Sequence, residues 1–443
     1  MADDWLWSTA ADLGRRIGAG EIDPVALARA HLDAIDGHAL RDRIYARLTP
    51  DRALAEAGAA RDRARVGRRL GPLDGVPVSW KDLFDTAGHG TEAGSALLAG
   101  RVPARDAVVL RNATAAGLVC LGKTHMSELA FSGLGYNPVT GTPPALHDAD
   151  AVPGGSSSGA AASVAFGLAA AGIGSDTGGS VRIPAVWNDL VGLKTTSGRL
   201  SLEGVVPLAE SFDTVGPLCR SVEDAALLLA ALEGTAAPDL TGVSLDGARL
   251  MVLDTVATED LRDAPRAGFQ RAVERLQAAG AVVEHRELPL VAEALALSPA
   301  LYAPEAYATW KDVIEAAPDK MYDEILARFR GGAGVTAVEF IQAWQELRRL
   351  RVRWNTAVAG YDAVIIPTAA NLPPKLQRLT DERDYYVTEN LMTLRNTRIG
   401  NLFGLCVLTL PTGVPATGIS LLCPPHAEER LLRLGAAAEA ALA

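Results

Sequence analysis

PGGSSSGAAASVAFGLAAAGIGSDTGGSVRIP, residues 153–184, places two glycine- and serine-rich turns on either side of an alanine-rich run. The run predicts a helix over 160–168 and a strand over 169–174, and the second turn follows that strand. Glycines gather where the backbone bends sharply or approaches a ligand closely, and a serine after such a turn can present its hydroxyl together with backbone N–H groups. The pattern indicates a nucleophile beside an anion-binding turn.

The segments around this stretch continue the alternation of helices and strands. Apolar runs predict further strands over 75–80, 117–122, 249–254, 282–288, 362–367, 406–411 and 419–423. Helical patterns cover 23–32, 52–65, 108–116, 265–279, most of 290–359, and 428–441. Such alternation predicts an α/β fold in which a mixed, mostly parallel central sheet is sandwiched between helical layers, with the chemistry in loops at strand ends.

Composition limits the classes of partner and compartment. The net charge of -11 and the lack of a basic stripe exclude a nucleic-acid backbone as the main partner. Four scattered cysteines, with no CxxC pair, argue against a disulfide framework and a zinc site. The acidic N-terminus lacks the features of a signal peptide, and no unbroken apolar run reaches membrane-spanning length. We therefore expect a cytoplasmic protein that binds neither nucleic acid nor membrane.

A serine nucleophile needs a base, and the sequence favours a lysine for this role. None of the seven histidines stands as an obvious triad partner, and His125, the nearest to the serine turns, is interpreted as an ordinary loop or core residue. Only six lysines accompany 36 arginines, and Lys81, Lys123 and Lys194 lie near the serine motifs. Burial can drive a lysine, but not an arginine, to its neutral form. Lys81, at the end of a predicted buried strand, is the candidate base.

Several motifs in fixed order resemble the amidase signature family. They are GVPVSWKD at 75–82, GGSSSGAAASV at 154–164, GSDTGGSVRIPA at 174–185 and SFDTVGP at 211–217. GKTHMSE at 122–128 and the segment 401–411 are also similar to family segments. The resemblance is dense over 72–232 and implies a single amidase signature domain over 1–443, with its catalytic core at 72–232 and a largely helical insertion over the sheet at 235–360.

The resemblance also implies a Ser-cisSer-Lys triad. Carried over by position, Ser180 is the nucleophile, Ser156 the bridging serine and Lys81 the base. Ser156 is chosen over Ser157 because it keeps the family's spacing of 24 residues to the nucleophile. A cis peptide bond is implied between Gly155 and Ser156. Ser158 replaces a glycine that many relatives have, outside the triad.

Further roles follow from the same resemblance. An oxyanion hole is expected from the backbone N–H groups of Thr177, Gly178, Gly179 and Ser180. The supporting residues expected around the triad are Ser157, Asp176, Arg182 and Asp213. Arg182 is expected to steady the loop, and contact with a substrate carboxylate is the alternative that stays open.

The implied activity is hydrolysis of a small-molecule, linear carboxamide to a carboxylate and ammonia or an amine, through an acyl-enzyme on Ser180. No metal or organic cofactor is expected. Acyl selectivity is expected to depend on residues 131–137, 290–350 and 370–400, where Tyr302, Trp310, Tyr322, Tyr385 and Tyr386 are candidates for an aromatic pocket. The oligomeric state is open, and an exposed apolar stripe on the N-terminal helices would indicate a homodimer.

Three alternatives stay open. The first is the glutamine-hydrolysing subunit of a tRNA-dependent amidotransferase, which would need a partner protein. The second is an esterase of the α/β-hydrolase type, because residues 155–159 satisfy GxSxG with Ser157 as nucleophile; that motif needs a preceding strand, and 143–153 does not look like one. The third, a non-catalytic binding module, would require a broken triad, whereas all three positions are filled.

Overall fold

The central sheet of the computed structural model, which describes residues 2–443, has eleven strands. Along the chain they are β1 (Tyr45–Leu48), β2 (Pro77–Lys81), β3 (Val119–Thr124), β4 (Ala171–Ser175), β5 (Val191–Lys194), β6 (Val215–Cys219), β7 (Arg249–Leu253), β8 (Val282–Arg286), β9 (Ala363–Pro367), β10 (Cys406–Pro411) and β11 (Gly418–Cys423). Their order in the sheet is β1-β3-β2-β4-β6-β5-β10-β11-β9-β7-β8. All eight strands expected from apolar runs are present, with ends shifted by a few residues.

Strand direction in this sheet is mixed. Four of the ten neighbouring pairs are parallel, namely β2 with β3 and β4, and β7 with β8 and β9. The other six pairs are antiparallel. The prediction of a mixed α/β sheet is confirmed, but its mostly parallel character needs correction. Three of the antiparallel pairs involve β5 or β6, which no apolar run predicted, and the other three join β1 to β3, β10 to β11 and β11 to β9.

Eighteen α-helices surround the sheet within the described residues. They are α1 (Ala2–Trp7), α2 (Ala10–Gly18), α3 (Pro24–Gly37), α4 (Arg41–Ile44), α5 (Pro50–Arg65), α6 (Val108–Ala115), α7 (Ser158–Ala165), α8 (Arg182–Trp187), α9 (Val222–Glu233), α10 (Asp263–Ala278), α11 (Leu290–Ala296), α12 (Ser298–Ala316), α13 (Asp323–Arg330), α14 (Ala337–Val358), α15 (Leu376–Asp381), α16 (Arg383–Arg395), α17 (Thr397–Leu402) and α18 (Glu428–Leu442). Over residues 2–443, no helix is both long and apolar enough to cross a membrane.

Helices cover both faces of the sheet, as the contacts of β10 and β11 demonstrate. A Cβ at Gly418 would lie 2.2 Å from the Val186 side chain of α8, so α8 packs directly on that face. Leu408 pairs with Leu421 and lies under α18, where a Cβ at Gly435 would be 2.1 Å from the Leu408 side chain. Side chains alternate along a strand, so positions 418 and 421 point to opposite faces. The helices α8 and α18 therefore sandwich this part of the sheet.

The segment 235–360 contributes to the sheet as well as to a helical layer. It supplies β7 and β8 at one edge, joined through α10, and then the helices α11 to α14. Trp310 of α12 donates a hydrogen bond from Nε1 to the carbonyl of Pro207 at 2.9 Å. The Phe212 ring lies 4.3 Å from the Tyr302 ring and 5.1 Å from the Trp344 ring, between centroids. These contacts place α12 and α14 over the loop that leads into β6.

Candidate active site

The carboxyl ends of two neighbouring parallel strands bring the predicted base next to the serine turns. β2 ends at Lys81 and β4 at Ser175, and the strands pair at Trp80 and Ile173. Parallel strands end at the same edge of a sheet, so both side chains reach one point. Lys81 Nζ lies 2.7 Å from Ser156 Oγ and 2.8 Å from Ser175 Oγ. The structure thus brings together two of the three predicted triad residues and adds the hydroxyl of Ser175 beside them.

The environment of Lys81 favours the neutral amine. Its side chain is fully buried, and this burial lowers its pKa to about 7, although the carboxylates of Asp176 and Asp213 favour the charged form. The cause is physical: an ammonium group loses its hydration in the interior, whereas the amine loses little. With a pKa near 7, about half of the molecules carry a neutral Lys81 at neutral pH. Lys81 can therefore accept a proton.

The first serine turn lies against the second. The peptide bond between Gly155 and Ser156 is cis. A Cβ at Gly155 would lie 2.5 Å from the backbone nitrogen of Gly135, so only glycine fits there. The N–H of Ser157 donates to the carbonyl of Ser180 at 3.2 Å, which holds the two turns side by side. No hydrogen bond among the described residues joins the hydroxyls of Ser156 and Ser180, although the backbone bond from Ser157 to Ser180 brings their turns together.

Ser157 has a structural role in this arrangement. Its hydroxyl donates to the carbonyl of Ser175 at 3.1 Å and accepts the N–H of the same residue at 3.3 Å. Residues 143–153, which precede the turn, contain only isolated bridges and no strand. The strand-to-helix elbow that GxSxG chemistry requires is therefore not formed at Ser157.

Asp176 holds the shape of the second turn. It accepts the N–H of Gly179 at 2.8 Å and that of Val181 at 3.2 Å. Arg182 makes two hydrogen bonds to its carboxylate, each 2.9 Å long, and Asn401 adds a third at 2.9 Å. Burial raises the pKa of Asp176, but the charge and hydrogen bonds of Arg182, together with the charge of Lys194 and the hydrogen bond of Asn401, hold the pKa well below its usual range. The carboxylate is ionised, and the fully buried Arg182 is committed to this turn.

The backbone of the turn offers three free donors. The N–H groups of Thr177, Gly178 and Ser180 have no acceptor among the described residues. Gly179, expected as a fourth donor, needs correction, because its N–H is taken by Asp176 at 2.8 Å. Donors without an internal acceptor that face a cavity can stabilise a developing oxyanion.

Asp213 supports the same turn from the other side. Its carboxylate accepts the hydroxyl of Thr177 at 2.5 Å and the backbone N–H groups of Leu208 and Ala209 at 2.9 and 3.3 Å. Burial raises the pKa of Asp213, although these hydrogen bonds favour the carboxylate. The residue therefore positions Thr177 and does not reach Ser156 or Ser180 by a hydrogen bond.

Two adjoining chambers open above Ser180. The inner chamber, about 40 Å³ in volume, is lined by Ala130, Phe131, Ser132, Thr177, Gly178, Ser180, Leu208, Tyr302, Arg328, Leu394 and Arg398. The outer chamber, about 230 Å³ in volume, is lined by Phe131, Ser298, Pro299, Tyr302, Ala303, Glu324, Arg328, Tyr386, Val387, Asn390, Leu391 and Arg398. The small inner chamber leaves room for a short group beside the nucleophile.

Several lining residues were not found from the sequence. Of the five aromatic candidates, only Tyr302 and Tyr386 line the chambers. Arg328 and Arg398 lie within the ranges 290–350 and 370–400 that were expected to set acyl selectivity, but nothing in their local sequence distinguishes them from other arginines. Ser175 could have been found, since it follows the predicted strand 169–174 inside the quoted motif. Asn401 likewise begins the segment 401–411 that is similar to the family.

Histidine and metal chemistry find no support in the described residues. None of the histidine side chains there hydrogen-bonds to the hydroxyls of Ser156, Ser157 or Ser180. Burial lowers the pKa of His125 to about 4, as suits a neutral core residue. Across residues 2–443, no group of three or more His, Cys, Asp or Glu side chains is placed to hold a metal ion.

Comparisons with known proteins agree on one family. The model of the amidase family matches residues 26–432. The chain is 37% identical to a 2-amino-5-chloromuconic acid deaminase of Comamonas testosteroni, over 97% of this chain and 95% of that protein. It is 32% identical to a glutamyl-tRNA(Gln) amidotransferase subunit of Acidothermus cellulolyticus, over 99% and 95% of the two chains. A crystal structure of an amidase, 31% identical, superposes with a TM-score of 0.88 over 98% and 100% of the chains.

Proposed function

The chain belongs to the amidase family, a family of hydrolases that act on C–N bonds in amides, and from that premise we propose that it hydrolyses a small-molecule carboxamide through an acyl-enzyme on Ser180. The products are a carboxylate and ammonia or an amine. One observation carries this proposal. The buried amine of Lys81, with a pKa lowered to about 7, lies 2.7 Å from Ser156 Oγ, next to the turn that bears Ser180.

Acylation begins with two proton transfers. Neutral Lys81 accepts the proton of Ser156, and Ser156 accepts the proton of Ser180. The oxygen of Ser180 then bonds to the amide carbon, and the carbonyl electron pair moves to the carbonyl oxygen. A serine is a weak nucleophile without such a base, so the relay supplies the activation. Two sets of contacts hold the turn in place during this step. One is the hydrogen bond between Thr177 and Asp213, and the other is the Asp176 clamp, by which we mean the hydrogen bonds of Arg182 and Asn401 to the carboxylate of Asp176.

The oxyanion formed in this step is stabilised by the backbone. Thr177, Gly178 and Ser180 line the inner chamber and their N–H groups are unpaired within the described residues; loss of one oxyanion donor typically costs about 3–4 kcal/mol. The proton then returns through Ser156 to the nitrogen of the substrate, the C–N bond breaks, and ammonia or an amine leaves. Water attacks the ester next, giving its proton to the same relay. The bond between Ser180 and the acyl carbon breaks, and the carboxylate is released.

The first test is the identity of the nucleophile. We expect Ser180→Ala to abolish amide hydrolysis while circular dichroism and melting temperature stay close to those of the wild type, because the side chain makes no hydrogen bond within the described residues. A serine-directed phosphonate should label Ser180, as read by peptide mass spectrometry. Ser201→Ala, at an exposed serine remote from the chambers, serves as the matched control and should keep full activity. Label on Ser157, or turnover by Ser180→Ala, would contradict the proposal.

Two relatives widen the range of substrates to be screened. The Comamonas relative is named for the deamination of 2-amino-5-chloromuconic acid, so the screen includes this acid beside simple amides. The relative from Acidothermus belongs to an amidotransferase, and its 32% identity over 99% of this chain supports glutamine hydrolysis as a second candidate. The two candidates differ in whether the chain acts without a partner protein.

A further inference from the structure

Two arginines face the chambers without an acidic partner. Arg328 on α13 and Arg398 on α17 line both the inner and the outer chamber. Neither forms an ion pair or a hydrogen bond with any described residue; the guanidinium of Arg328 stacks over the Phe131 ring, 4.5 Å from its centroid. The acidic residue in the chamber wall, Glu324, is already paired with Arg383 at 2.7 Å. The cavity beside Ser180 therefore carries uncompensated positive charge.

Keeping these charges in the wall has an energetic cost. Burial lowers the pKa of Arg328 to about 10, and the nearby charge of Arg398 contributes to this shift. Burial also lowers the pKa of Arg398, and here no carboxylate offsets the effect. Both side chains are half-buried, so their guanidinium groups keep part of their contact with solvent. Charges withdrawn from water are normally paired, and two unpaired like charges in one wall point to an anionic partner that arrives from outside. An anion entering the chamber would remove the penalty.

Unsatisfied hydroxyl groups in the same wall point to the same conclusion. Tyr302 Oη and Ser298 Oγ are buried and have no hydrogen-bond partner among the described residues. The two residues are four positions apart on α12 and so lie on one face of that helix. Both line the outer chamber, and Tyr302 lines the inner one as well. A buried hydroxyl is expected to be hydrogen-bonded, so a ligand is the natural partner for this pair.

We propose that Arg398, Arg328 and Tyr302 form an anion subsite, so that the substrate amide carries a carboxylate on its acyl group. This inference rests on the proposed function and adds the substrate class. A guanidinium matches a carboxylate with two parallel hydrogen bonds, and the tyrosine hydroxyl adds a third donor. Both arginines line the inner chamber together with Ser180, and this chamber is only about 40 Å³ in volume. The matching substrates are monoamides of short dicarboxylic acids.

The test compares charged and neutral amides of equal size. Succinamate and glutaramate should be hydrolysed with kcat/KM at least about tenfold above their diamides, succinamide and glutaramide, because a hydrogen bond to a charged group contributes more than one to a neutral group. Arg398→Met should lower kcat/KM for the carboxylates at least about tenfold more than for the diamides. Tyr302→Phe should act in the same direction with a smaller effect. The subsite would be overturned if the wild type had equal kcat/KM for the carboxylate-bearing amides and the diamides, or if Arg398→Met lowered kcat/KM equally for both series.

A second readout separates binding from folding. The melting temperature of Arg398→Met should equal or exceed that of the wild type, since the change removes an unpaired charge, whereas a structural arginine would lower it on removal. Arg349→Met, at an exposed position on α14, is the matched control and should keep the wild-type preference. In Ser180→Ala, succinamate should raise the melting temperature and succinamide should not, and the absence of this difference counts against the subsite.

The outcomes keep the two proposals apart. If Ser180→Ala still hydrolyses both series, the acyl-enzyme proposal fails. If Ser180→Ala is inactive but the wild type prefers the diamides, the acyl-enzyme stands and the anion subsite fails. If no amide is turned over, the melting shift of the Ser180→Ala variant still decides the subsite.

Discussion

Lys81 shows how a single residue acquires a function from its surroundings. In water a lysine is protonated at neutral pH, and it cannot serve as a base. At the end of β2 its side chain is fully buried, and the hydroxyls of Ser156 and Ser175 are its hydrogen-bond partners. Two hydroxyls stabilise the ammonium less than water does, so the pKa falls to about 7. An arginine at this position would stay charged.

The pH dependence of kcat/KM tests this role. The active form is the neutral amine, so kcat/KM should rise with pH, fall about tenfold per unit below the pKa of the free enzyme, and level off above it. The midpoint should lie near pH 7, where burial places the pKa of Lys81. Lys81→Arg should lose activity by a factor on the order of 10²–10⁴. A Lys81→Arg enzyme with the wild-type profile would exclude Lys81 as the base.

At the scale of elements, the carboxylate of Asp176, directly after β4, holds the second serine turn and links it to α8 and α17. The carboxylate of Asp176 receives the N–H of Gly179, the guanidinium of Arg182 and the amide of Asn401. Arg182 extends the connection through a hydrogen bond to the carbonyl of Thr397 at 2.8 Å. Because Asp176 takes the N–H of Gly179, it leaves three donors of the turn for the substrate.

Breaking this clamp should be costly. Both side chains are fully buried, so Arg182→Met leaves the charge of Asp176 unpaired and should lower the free energy of unfolding by about 3–5 kcal/mol, measured by urea denaturation. The double variant, Arg182→Met with Asp176→Asn, should lose less free energy of unfolding than the sum of the losses of the two single variants. The exposed pair of Arg349 and Glu346 is the control, since Arg349→Met should change stability by less than about 1 kcal/mol. If Arg182→Met also lowered the free energy of unfolding by less than about 1 kcal/mol, the contacts of Arg182 with Asp176 would not be structural.

At the scale of the whole molecule, distant parts of the chain meet at the candidate site. The sheet edge provides Lys81, the two turns provide Ser156 and Ser180, and the helices between β8 and β10 provide Tyr302 and the arginine-bearing wall. Because the predicted base, nucleophile and oxyanion donors all lie on this chain, we propose that hydrolysis needs no second protein.

The purified chain should therefore hydrolyse amides without a partner. Ammonia release from a panel of aliphatic, aromatic and carboxylate-bearing amides, with glutamine included, is the measurement, and Ser180→Ala is the blank. Turnover of small amides by the chain alone supports the amidase proposal. Turnover of glutamine alone, and only after a partner protein is added, would favour the amidotransferase candidate.

Much of the fold could be read from residue order, because its signals are local. Apolar runs between turns predicted eight strands, and the helical pattern over 23–32 predicted the first part of α3. The family resemblance is confirmed, and the cis bond that it implied between Gly155 and Ser156 is present. The end of a predicted buried strand pointed to Lys81 as the candidate base, and the family resemblance implied that Lys81 meets Ser156, whose Oγ lies 2.7 Å from its Nζ.

Other features exist only after the chain has folded. β5 and β6 are short and lack a strong apolar signal, so their antiparallel insertion into the middle of the sheet depends on long-range pairing. The hydrogen bond from the Gly179 N–H to Asp176 depends on the local backbone geometry, which the sequence alone does not specify. The chamber wall joins Phe131, Tyr302, Arg328 and Arg398, which lie far apart in sequence. Residues so distant share no periodicity, and only packing brings them to one cavity.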